Sequence, residues 1–141
     1  MSVIQPLLSV RDVPASLAFY TEQLGFTHDG STLPGKDGKP VFAGVKHGET
    51  TVYLDNTEYA DLPPNTPLGV GVDLFVGVEG DIDALYARLQ AANVTIVREM
   101  KEEFWGDKRF VIQDPDGYRL SIYKNVRTVS MDEMAEAMQA G

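Results

Sequence analysis

The sequence predicts an α+β fold of two βαβββ modules, whose curved mixed sheets close around a cleft. Three observations predict it. Sliding one half of the chain on the other by about 68 residues pairs Val10 with Val78, Leu17 with Leu85 and Phe26 with Val94 by hydrophobic type. Each half also reads as a strand, a helical stretch and then further short strands. Finally, Phe104 to Tyr123, FWGDKRFVIQDPDGYRLSIY, reads as a hairpin with a built-in turn. Two sheets that are each apolar on one face must bury those faces, and curved sheets around a shared interior leave a cavity.

In chain order, Val3 to Val10 is an apolar strand interrupted at Gln5 and Ser9. Asp12 and Pro14 supply a cap and a first-turn proline for a helix carrying Leu17, Phe19, Tyr20 and Leu24, which Gly25 stops. Phe26 opens the next strand. Asp29 to Lys39, rich in glycine and proline, is expected to be a loop or wide turn. Val41–Val45 and Thr50–Leu54 then alternate as strands joined by a turn over Lys46–Glu49, and the proline-rich stretch Asp55–Leu68 is a linker.

The second half starts with an apolar strand over Leu68–Val78. Asp81 caps a helix with Ile82, Leu85, Tyr86 and Leu89 on one side, Asn93 ends it, and Val94–Val97 is the next strand. The hairpin follows, with strands at Arg109–Ile112 and Tyr118–Tyr123. In its turn Pro115 presets φ, Asp114 can accept from the backbone ahead, and Gly117 supplies a positive φ. Ser130 and Glu133 stand at capping-box spacing before Met131, Met134 and Met138, a short amphipathic helix whose methionine face is expected to pack on its own domain. The chain thus divides into a domain over residues 1–126, with modules at roughly 1–56 and 68–126, and a C-terminal helix over 127–141.

The bulk numbers narrow the function. A chain of 141 residues with 43% hydrophobic and 23% charged residues is one globular domain in size. With no cysteine there are no disulfides or thiolate metal sites, and two histidines are too few for a His-rich centre. A formal charge of −9 repels nucleic acid and anionic membranes, so neither is an expected partner. No apolar run is long enough to span a bilayer and no signal-peptide pattern opens the chain, so the cytoplasm is the expected address.

The run Trp105, Gly106, Phe110, Asp114, Pro115, Asp116 and Gly117 resembles the C-terminal hairpin of the glyoxalase/bleomycin-resistance/extradiol-dioxygenase superfamily, the vicinal oxygen chelate fold. The block V-x-D-V-x-x-S-L-x-F-Y-x-x-x-L-G-F, from Val10 to Phe26, resembles the same superfamily. The resemblance reaches to about Val126 and implies paired modules around a cleft, completed by a homodimer partner. In the superfamily's enzymes it further implies a divalent metal held by four inward-facing side chains. Those positions fall here on Gln5, Tyr53, Gly71 or Asp73, and Ser121. One amide and one carboxylate make a weak divalent site, and His28 and His47 read as surface residues, so neither metal nor cofactor is expected.

What remains is a cavity with aromatic walls: Phe42, Tyr53, Phe75, Phe104, Trp105 and Tyr123, with Asp107, Arg109 and Ser121 as polar orienters. Gly106 beside Trp105 suits a stacking surface at a cavity mouth, where each stacked pair contributes about 0.5–1.5 kcal/mol. A cationic ligand gains from the same ring faces. The resulting expectation is a metal-free binder, similar to the bleomycin-resistance branch, that sequesters an aromatic or cationic small molecule such as an antibiotic or toxic metabolite. The alternative is a metal-dependent lyase, isomerase or dioxygenase of the same superfamily.

Overall fold

Alternating apolar residues place strands and caps delimit helices, and a computed structural model describes the result for residues 2–140. The described residues form two units, 2–70 with 115–117 and 71–114 with 118–140.

In the first unit β1 (Leu7–Val10) leads into α1 (Val13–Ala18), a π-helical turn over Phe19–Gln23, and then β2 (Thr27–Pro34), β3 (Pro40–His47) and β4 (Thr50–Asn56). Asp12 caps α1 by accepting from the Ala15 N–H at 3.1 Å, and Gly25 leaves the helical segment at φ +77°. The sheet runs β1-β4-β3-β2, with β1 parallel to β4 and the other pairs antiparallel. Leu8, Val10, Ala43, Val45, Val52 and Leu54 are buried together with Val13, Tyr20 and Phe26. His47 belongs to this side, stacked on Phe26 with ring centroids 4.9 Å apart, so it is a packing residue rather than a turn residue.

Two expectations for this unit are corrected. The first strand is shorter than Val3–Val10: Val3 and Ile4 are exposed, and Gln5 lies ahead of β1. The stretch expected as a loop from Asp29 is mostly strand. A bulge between His28 and Thr32 absorbs Gly30 at φ +88°, and the tight turn is confined to residues 35–39.

The second unit repeats the plan: β5 (Asp73–Gly77), α2 (Ile82–Ala91), β6 (Ile96–Glu102), β7 (Asp107–Gln113) and β8 (Arg119–Asn125), with sheet order β5-β8-β7-β6 and β5 parallel to β8. Asp81 caps α2 by accepting from the Ala84 N–H at 3.0 Å, and Asn93 takes φ +60° beyond its end. Phe110, Ile112, Leu120, Ile122 and Val76 are buried with Ile82 and Leu89 of the helix, and Tyr86 meets Phe110 at 4.9 Å. The strand expected from Leu68 starts only at Asp73, because Gly69 and Gly71 hold φ +77° and +75°. Two mixed sheets and three helices make this an α+β fold of two βαβββ modules.

The third helix, α3 (Met131–Ala140), opens with the expected capping box: Ser130 Oγ accepts from the Glu133 N–H at 3.1 Å, and Glu133 accepts from the Ser130 N–H at 3.4 Å. Its methionines do not form a packed face. Met131 is 78% exposed and Met138 70%, while Met134 is partly covered. No helix among the described residues is long and apolar enough to cross a membrane.

Candidate functional site

Strand alternation sorts every candidate onto a face. In the second unit Asp73 and Phe75 of β5, Arg119, Ser121 and Tyr123 of β8, and Asp107 and Arg109 of β7 share the face turned away from α2, as their cross-strand pairing requires. Seven of the nine expected binding residues (Phe75, Phe104, Trp105, Asp107, Arg109, Ser121 and Tyr123) therefore lie in this unit, on or beside one sheet face. Phe42 and Tyr53 lie in the first unit, on the side of its sheet away from α1, stacked at 5.4 Å.

Trp105 is half-buried and fixed from three sides. Its Nε1–H donates to Asp107 Oδ2 at 2.8 Å, Phe104 meets it edge-on at 4.9 Å, and the Arg109 guanidinium carbon lies 5.2 Å from its ring centroid. Asp107 is held in turn by the Asn125 amide, which donates to Oδ1 at 3.0 Å. Gly106 is required here: it adopts φ +99°, and a Cβ at this position would run into the Arg127 carbonyl oxygen.

Arg109 is the hub of this face. Its Nε–H and Nη2–H donate to Glu103 Oε1 at 3.4 and 3.3 Å, and Nη1–H donates to Ser121 Oγ at 3.3 Å. Both partners of the ion pair are nearly buried, with side-chain exposures of 13% and 8%. Ser121 hands the chain on by donating to Asp73 Oδ1 at 3.1 Å. Beyond it Phe75, 61% exposed, meets Tyr123 at 5.7 Å, and Tyr123 lies across Gly77, where a Cβ would sit 3.0 Å from the phenol oxygen.

One expectation changes. The Trp105 ring does not offer a free face on both sides, because Arg109 already provides a cation over it. Sequence reasoning missed Glu103, whose buried carboxylate is its only signal, and Arg119, which strand alternation from Ser121 and Tyr123 could have found. It also missed Asp55 of β4, the cross-strand neighbour of Phe42, whose carboxyl is held above its ordinary value by burial.

The donors at the family's metal positions do not fit a divalent cation. In the second unit Asp73 is the single carboxylate; Gly71 has no side chain and sits in the turn before β5. Ser121 accepts from the Arg109 guanidinium, a fixed positive charge where a cation would have to approach. In the first unit Gln5 stands outside β1 and Tyr53 is stacked on Phe42. Among the described residues no three histidines or carboxylates come together to hold a metal ion. His28 Nε2 lies 3.0 Å from the Ser31 carbonyl within the β2 bulge.

Two βαβββ modules, each a four-stranded mixed sheet with a helix on one side and a polar and aromatic face on the other, define a paired-module α+β protein. The match to the family model described as the Glyoxalase/Bleomycin resistance protein/Dioxygenase superfamily covers residues 3–122, and the chain belongs to that superfamily. An uncharacterized protein of Mycobacterium bovis is 31% identical over 97% of this chain and 92% of its own length. The bleomycin resistance protein of Geobacillus stearothermophilus is 25% identical over 87% of this chain and 96% of its own. Among solved structures, TioX from Micromonospora sp. ML1 shares the fold with a TM-score of 0.71 at 20% identity, covering 89% of this chain and all of that one. A lactoylglutathione lyase from Agrobacterium tumefaciens does so at 0.66 and 20%, covering 87% and 92%.

Proposed function

We propose that this chain is a metal-free binding protein that captures a small, flat, aromatic molecule, such as an antibiotic or toxic metabolite, and holds it without converting it. The observation that carries this reading is the fixed Trp105, held by Asp107 and backed by Arg109. A ring already fixed avoids the ordering cost of about 0.5–1.5 kcal/mol that a mobile side chain incurs on binding. Since one cation already faces that ring, aromatic character in the ligand counts for more than positive charge. The likeness to a bleomycin resistance protein supports the same reading, as does the donor set at the metal positions. The protein acts in the cytoplasm as a homodimer, the second copy covering exposed apolar residues such as Leu7.

The test is a calorimetric titration with a panel of planar aromatic antibiotics. Trp105→Ala should weaken the best binder at least tenfold, which corresponds to about 1.4 kcal/mol; unchanged affinity removes Trp105 from the site.

A second reading, an enzyme acting as a lyase or isomerase, is favoured by Asp55 alone. A carboxyl raised by burial beside Phe42 suits a general base.

A further inference from the structure

Resting on the reading of the second unit's sheet face as a ligand site, we infer that Arg119 is an oxyanion anchor, and that the ligand is an aromatic molecule bearing a carboxylate or phosphate. Arg119 Nε is buried and, among the described residues, donates to no acceptor. A buried guanidinium N–H without a partner is rare, because such a donor has lost its water and gained nothing in exchange. Asp73, the cross-strand neighbour of Arg119, accepts from Ser121 and makes no ion pair with the guanidinium. On the other flank the neighbour is the neutral Gln113. The two arginines of this face thus differ. Arg109 is fully engaged by Glu103 and Ser121 and serves the platform, whereas the Nε–H of Arg119 has no acceptor among the described residues.

The chemistry of an outside acceptor follows from the fork. Nε–H and an adjacent Nη–H point in parallel and match the two oxygens of a carboxylate or two of a phosphate. The aromatic part follows from spacing. Phe75 stands opposite Ser121, one same-face step along the strands from Arg119, or about 7 Å at the usual rise per residue. A ring lying against Phe75 and Tyr123 therefore carries its acidic group about one ring's length away, over Arg119.

Benzoate, phenyl phosphate, benzyl alcohol and benzyltrimethylammonium, titrated against the full chain with backbone amide shifts as readout, separate the possibilities. The inference expects both anions to bind at least tenfold more tightly than benzyl alcohol, with shifts at Phe75, Arg119 and Tyr123, and expects Arg119→Met to erase that preference. If Arg119→Met does not fold, Arg119→Lys serves: losing the fork should reduce the preference for benzoate while leaving benzyl alcohol unaffected. Equal binding of all four compounds, or a preference that survives the substitution, overturns this inference and leaves the aromatic site standing. Failure of all four to bind overturns the site reading with it. A fall in oligomer mass on Arg119→Met, by light scattering, assigns the acceptor to a second copy and also overturns the anchor.

Discussion

Glu103 is the residue on which the platform depends. Its carboxylate is almost fully withdrawn from water and receives two donors from Arg109, which in turn backs the Trp105 ring and grips Ser121. Removing its charge leaves a nearly buried guanidinium without its counter-ion. Glu103→Gln is therefore expected to lower unfolding free energy by about 3 kcal/mol in urea titration, and to weaken ligand binding through Trp105. Glu103 and Arg119 also show why the site was only partly legible in the sequence. The aromatics announce themselves by type and Trp105 by its neighbouring glycine, but an isolated Glu or Arg in a strand resembles any solvated charge. Only the folded structure reveals that the Glu103 carboxylate is buried and partnered while the Arg119 Nε–H is buried and unpartnered.

Among the elements, the Asp114–Gly117 turn was the most readable, since each residue has a separate stereochemical task. Gly117 adopts φ +98°, and Asp114 accepts from the Tyr118 N–H at 2.9 Å. What the sequence did not reveal is the second task of Asp116. Its carboxylate, 5% exposed, accepts from the Arg11 N–H at 3.0 Å and from the Ser16 hydroxyl at 3.2 Å, anchoring the turn to the start of α1. Asp116→Ala should cost about 1–3 kcal/mol by thermal or urea unfolding, because it strands the buried Ser16 hydroxyl. Helix caps at Asp12 and Asp81 were equally legible, each being a local interaction. Strand lengths were not. Whether a residue pairs depends on the neighbouring strand, so Val3 and Ile4 stay outside β1, while β2 continues through Gly30 by bulging. The exposed Met131 and Met138 fail the expectation for α3 for a similar reason: amphipathic spacing identifies a face but not what covers it.

At the scale of the whole molecule the repeat is the strongest inference, because it needs only hydrophobic type to recur at one offset, and both units carry the same strand order. The superfamily spans binding proteins and enzymes, so membership leaves the outcome of binding open, and the local chemistry decides it. The second unit's face holds a hydrogen-bond network around a fixed ring, and the donors at the family's metal positions do not suit a cation. Asp55, whose carboxyl is raised by burial, is the group on which the enzyme reading rests. The direct measurement is therefore of the ligand's fate. The protein is incubated with its best-binding aromatic compound, the complex is separated and denatured, and the released compound is weighed by mass spectrometry. Sequestration predicts recovery of the compound at unchanged mass, at no more than one per site. A product of altered mass that accumulates with time, and is lost in Asp55→Asn, would contradict it.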